Sequence, residues 1–178
     1  MSIPKLEEGC RIPGVRIVPL TTHVDHRGTF TEVFRESWVS QPHFVQWNAV
    51  TSKAGTLRGV HAHRRHADYL IVVSGHMWLA LADLRPDADP ANAQAIVGLD
   101  ASTQQAVVIP TGVAHGFLFS RDSMHMYAVS EYHSEADELG CRWDDPELAL
   151  PWPAVPEHLS ERDQRLPNLA TLRARLRS

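Results

Sequence analysis

The chain has 178 residues, 43% hydrophobic and 21% charged, proportions of a globular domain that exclude disordered and fibrous classes. Its 17 Lys and Arg against 21 Asp and Glu give a formal net charge of −4, which excludes a duplex-binding protein built to neutralise phosphates. No apolar stretch reaches the ~20 residues that span a bilayer, and the N-terminal segment lacks the apolar centre of a signal peptide. The length predicts one domain over 1–178, with its core at about 18–153 and a C-terminal extension at 154–178. The only cysteines, Cys10 and Cys141, form neither a disulfide framework nor a metal motif. Both are expected as free thiols in a reducing cytoplasm.

The first hundred residues read as short strands. Residues 16–20 are short and β-branched; 23–28 read as a turn, and 29–34 alternate at period two. Residues 44–51 and 57–63 are further strand segments. The run 69–73 is apolar, β-branched and too short for a helix. Ser74 and Gly75 turn it into 76–84, which predicts a hairpin. A loop rich in Pro and Asp follows at 86–92. Strands are then expected at 95–99, 106–110, 116–119 and 124–130, the last two bracketing a turn at 121–123. Helix signals are confined to the end: one turn at 159–163, and a basic-ended helix at 169–176 capped by Asn168. Regularly spaced strands with turns between them predict an all-β sandwich or jelly roll.

The chain holds 11 histidines, and their placement matters more than their number, because imidazole titrates near neutrality and binds transition metals. Two clusters stand out. In Gly59-Val60-His61-Ala62-His63-Arg64-Arg65-His66-Ala67-Asp68, strand alternation points His61 and His63 to one side. In Pro110-Thr111-Gly112-Val113-Ala114-His115, a proline-glycine turn presents His115 at the start of a strand. In this order the two clusters resemble the paired signature motifs of the cupin superfamily. That resemblance implies a cupin-type jelly-roll β-barrel, with a short C-terminal helical segment and histidines facing the lumen.

Other segments narrow the resemblance. Asp25 to Glu32, Gln46-Trp47-Asn48, Leu57-Arg58-Gly59-Val60-His61, Ala114-His115-Gly116-Phe117 and Met126-Tyr127 occur in order. Trp143-Asp144-Asp145-Pro146, Pro151-Trp152-Pro153 and Leu159-Ser160-Glu161-Arg162-Asp163 follow them. Together they resemble the dTDP-4-dehydrorhamnose 3,5-epimerase family from about Val18 to Asp163. The resemblance implies a cytoplasmic homodimer without membrane or nucleic-acid partners. Its substrate is a nucleotide-linked 4-keto-6-deoxyhexose, and its isomerase chemistry needs no cofactor: a ring carbon beside the C4 ketone loses a proton, and the enolate is reprotonated from the other face. By the same match His61 is the base, Asp163 its partner and Tyr127 the acid. His115 and Arg58 hold the sugar and diphosphate. Arg27, Glu32, Gln46 and Asn48 bind the nucleotide, some of them from the second subunit, and Glu138 and Arg162 occupy further binding positions. Trp143 and Trp152 read as packing residues.

The sequence departs from the family at two places. The family glutamine two residues beyond the base is His63, and the family lysine at the C4 oxygen is Asp68; Lys53 is the only lysine within reach in sequence. Losing a cation beside a developing oxyanion weakens its stabilisation. One compensation is a divalent metal on His61, His63, Asp68 and His115, a set of imidazoles and a carboxylate that suits Zn, Fe, Ni or Cu. Another is Arg64, Arg65 or His66 in place of the lysine, with Asp68 paired to one of them. The alternatives to the epimerase are therefore a metal-dependent cupin enzyme, a nucleotide-sugar 3,4-ketoisomerase, which the string from Arg58 to His63 also resembles, and a binding module without catalysis.

Overall fold

A computed structural model describes residues 10–38 and 42–178. One five-stranded antiparallel sheet runs in the order β1 (Arg16–Pro19), β9 (Gln105–Ile109), β6 (Asp68–Ser74), β11 (Ser123–Val129), β4 (Gln46–Ser52). The other runs β12 (Leu139–Gly140), β5 (Leu57–Ala62), β10 (Val113–Phe119), β7 (His76–Asp83), β8 (Gln94–Asp100). The two face each other as a jelly-roll barrel. A separate hairpin pairs β2 (Thr22–Asp25) with β3 (Gly28–Thr31). Two helices close the chain, α1 (Glu161–Gln164) and α2 (Leu169–Arg177). No helix among the described residues is long and apolar enough to cross a membrane.

The apolar runs follow from strands covered on both faces. On β6, Leu70 and Val72 point between the sheets, where they meet Met77, Leu79, Leu81, Val107, Ile109 and Phe119. Tyr69 and Ile71 point the other way and pack beneath Phe34, Trp38 and Phe44. The outer face of the second sheet is covered by the C-terminal segment, with Leu148, Leu169 and Leu172 packed on Val60, Ala80 and Ala114. Trp143 and Trp152 pack there too, and the Trp152 indole N–H donates to the Trp143 carbonyl at 3.1 Å.

The predicted strands are present with ends moved by a few residues, but the expected 69–84 hairpin is not formed. β6 pairs with β9 and β11 in one sheet and β7 with β10 and β8 in the other, so the 74–75 turn carries the chain from sheet to sheet. Both strands are apolar on both faces, and each is covered by two neighbours. The segment 23–28 differs. Only 26–27 turn, while 22–25 form a strand whose Thr22 and Val24 sit opposite Thr31 and Thr29. Threonine and valine favour that pleated pairing over a wide turn. Both helix caps are as the residue types require: the Asn168 side chain accepts from the Thr171 N–H, and Ser160 accepts from the Asp163 N–H at 3.0 Å.

Candidate active site

A single cavity between the sheets collects most of the residues singled out in sequence. Alternation on β4 and β11 sends Gln46, Asn48 and Val50, and beside them Val129, Tyr127 and His125, to the same inner face. Asp68 and Leu70 of β6 continue that wall. The facing wall comes from β5 and β10, where His61 stands directly opposite His115 in the strand register and Arg58 opposite Phe117. His63, Glu138, Arg162 and Asp163 complete the lining. Arg27 and Glu32 are not part of it: Arg27 pairs with Asp25 in the β2–β3 turn at 2.7 Å, and Glu32 pairs with Arg35.

The shortest polar contact in the cavity joins His61 to Asp163, with Nε2 and Oδ1 2.7 Å apart. The Asp163 carboxyl is buried. Burial pushes its pKa up, but the hydrogen bond and charge of His61, with help from the Gly59 N–H and Ser160, outweigh this and hold it below the ordinary range. An ionised carboxylate only accepts, so His61 carries its proton on Nε2 and keeps a free lone pair on Nδ1. Gly59 lets β5 lie close against β10 beside this pair. Its φ is +121°, and a Cβ there would lie 2.8 Å from the Gly116 Cα and 2.9 Å from the His115 carbonyl oxygen. With no side chain, its N–H faces Asp163 Oδ2 at 3.4 Å.

Tyr127 comes from the opposite sheet. Its ring stacks on His125 with centroids 6.2 Å apart, and its hydroxyl has no hydrogen-bond partner among the described residues. Burial, followed by the charges of Glu138 and Asp68, pushes the phenol above its usual range, so it stays protonated at neutral pH. The cavity thus presents a proton acceptor from one wall and a proton donor from the other. Two guanidinium groups lie at its border. Arg58 donates to Ser52 Oγ at 2.9 Å and to the Thr51 carbonyl at 3.2 Å; Arg162 donates to the Glu138 carbonyl at 3.0 Å.

A family profile described as dTDP-4-dehydrorhamnose 3,5-epimerase matches residues 9–171. The dTDP-4-dehydrorhamnose 3,5-epimerase of Mycobacterium tuberculosis is 33% identical over 181 residues, covering 92% of this chain and 87% of that protein. The chain belongs to the dTDP-4-dehydrorhamnose 3,5-epimerase family. Among solved structures, the Bacillus anthracis epimerase with TDP and PPi bound is similar at 32% identity and TM-score 0.80, over 88% of this chain and 94% of that one. A 3'-monoepimerase from Streptomyces bikiniensis in complex with dTDP-quinovose is similar at 30% identity and TM-score 0.84, over 93% and 88% of the two chains. Membership makes the protein an isomerase of the sugar-epimerase type, over the alternatives of a metal-dependent cupin enzyme, a ketoisomerase or a non-catalytic module.

Sequence reading passed over several cavity residues of this epimerase. His125 and His133 line it from β11 and the loop beyond. Asp137 lies just behind it and accepts from the backbone N–H groups of Arg64 and Arg65 at 2.9 and 3.1 Å, ordering the loop that carries His63 and His66. It sits in a short acidic stretch that in sequence reads as a solvated surface. Nothing local marks it as a buried anchor.

Proposed function

We propose that the chain epimerises a dTDP-type, nucleotide-linked 4-keto-6-deoxyhexose at C3, C5 or both. His61 Nδ1 takes the proton from a ring carbon beside the C4 ketone. The bonding pair moves into the ring as an enolate, its charge on the C4 oxygen. Tyr127 then gives its hydroxyl proton to the opposite face of the same carbon, leaving a tyrosinate and an imidazolium that return to their starting states by proton exchange. Asp163 holds the His61 tautomer and stabilises the imidazolium as it forms. Only protons move, so the reaction needs no redox cofactor.

The observation that carries this reading is the His61–Asp163 pair on one wall with a protonated Tyr127 on the other. Arg58 and Arg162 are suited to the diphosphate, His115 and Glu138 to the sugar, and Gln46 and Asn48 to the base. Arg27 and Glu32 lie outside the cavity on or beside a hairpin that exposes Val24 at 76% and Phe30 at 68%. That supports a homodimer in which the hairpin lends them to a second subunit. We take 1–178 as one domain whose C-terminal extension supplies Asp163. Its buried free thiols suit the cytoplasm. The test is to incubate the protein with dTDP-4-keto-6-deoxyglucose in heavy water. Deuterium at C3, C5 or both is expected, and no incorporation with this or a related keto sugar refutes the proposal.

A further inference from the structure

Beside the His61–Asp163 pair lies a second group of side chains that the proton transfer does not use. A ligating atom from each of His63, His66 and Asp68 lies within 4.8 Å of the others, and all three residues are buried. His115 stands across from them, its Nε2 3.8 Å from Asp68 Oδ2. The three imidazoles share one arrangement. His63 Nδ1 donates to the Asp137 carbonyl at 3.0 Å, and His115 Nδ1 donates to the Val113 carbonyl at 3.2 Å. His66 Nδ1 lies 3.2 Å from Asp137 Oδ2. Acceptors at each Nδ1 place the proton there and leave each Nε2 with a free lone pair. Fixing the far nitrogen in this way is how proteins orient metal-binding imidazoles.

Charge points the same way. Asp68 is 6% exposed and lines the cavity, yet no described residue donates a hydrogen bond to its carboxylate. Asp137 and Glu138 place two more carboxyl groups on the same side, at His66 and His63. Buried imidazoles gathered around a carboxyl group that no described residue donates to form a ligand set with room for a cation. The donor set is mostly nitrogen, which suits borderline divalent ions and is wrong for calcium or magnesium. His61 is not among the grouped ligand atoms, and the lone pair its Asp163 contact leaves on Nδ1 is the one the proton transfer uses. The cluster therefore differs from the set expected in sequence, with His66 in its place.

We propose that His63, His66 and Asp68, closed by His115, bind one divalent transition-metal ion of the zinc type. The site shares the cavity, and His115, with the sugar chemistry proposed above, but none of its ligands takes part in the proton transfer, so metal binding is read separately from epimerisation. It is tested on chelator-treated full-length protein by titration with cobalt(II), followed by visible absorption and calorimetry. One equivalent is expected to bind with d–d bands of a low-coordinate site. Asp68→Asn and His66→Asn should each weaken binding at least a hundredfold, while His61→Asn, which abolishes the proposed epimerisation, leaves it within threefold. No saturable one-equivalent binding by the wild type overturns the site. So does binding that survives both folded variants, or that falls a hundredfold in His61→Asn. Should the variants not fold, proton NMR of the cobalt-loaded wild type decides. Two or three hyperfine-shifted, solvent-exchangeable ring N–H signals support the site, and one or none refutes it.

Discussion

Replacing Asp163 by Asn keeps the side-chain shape and removes its charge and one acceptor. In the native site Oδ1 accepts from His61 Nε2 at 2.7 Å, while Oδ2 faces the Gly59 N–H at 3.4 Å. Asparagine satisfies only one of these. With its oxygen toward His61, its NH2 opposes the Gly59 N–H, donor against donor. Turned over, its NH2 donates to His61 Nε2 and forces the ring proton onto Nδ1, the atom that must accept the substrate proton. The same tautomer change in a Ser-His-Asp triad costs about 10⁴ in turnover, or about 5 kcal/mol. Solvent-deuterium incorporation by Asp163→Asn should therefore fall about 10³- to 10⁴-fold, with dTDP affinity unchanged. NMR of the sugar in heavy water measures it, and thermal unfolding checks that the variant folds. A folded Asp163→Asn that exchanges within tenfold of wild type refutes the role of the pair.

Tyr127→Phe should separate the two half-reactions, and Tyr127 is no donor if inverted product still forms at the wild-type rate. His61 still removes the proton, so washout at one face persists while inverted product, followed by NMR, drops at least a hundredfold. His125, 1% exposed among Phe117, Phe119 and Tyr127, has an unpartnered Nδ1. Burial brings its pKa from 6.5 down to about 4, so the unfolded chain takes the proton first. Its contribution is complete above pH 6.5 and is lost as pH falls toward 4. From pH 7.5 to 5.0, urea unfolding of the wild type should lose about 2 kcal/mol more than that of His125→Phe; equal losses would show that the ring is protonated in the fold. Gly59→Ala should cost about 3 kcal/mol, from its φ and from the Cβ contact with the His115 carbonyl. A loss under 1 kcal/mol in the same denaturation would contradict that reading of the close approach.

The strands were legible because their covered faces write themselves as alternation or as short β-branched runs, as in 69–73. The helix caps at Ser160 and Asn168 were legible for the same local reason. What depended on distant contacts was not. The two-residue β12 has no pattern of its own, yet it sets Gly140 beside His61 in the sheet. Asp137, far from His63 in sequence, fixes that histidine's tautomer through its carbonyl and orders the loop through its carboxylate. His66 reads as one of a polar run with Arg64 and Arg65, and only the fold turns it inward. The Asp163 partner of His61 came from the family resemblance alone, since nothing in local spacing joins residues so far apart.

The most direct measurement compares the wild type with His61→Asn, using solvent-deuterium incorporation at C3 and C5 of the keto sugar. With His61 as the base, the wild type labels the sugar and the variant does not rise above the buffer control, although it still binds dTDP. A folded variant that labels the sugar within tenfold of the wild-type rate would place the base elsewhere.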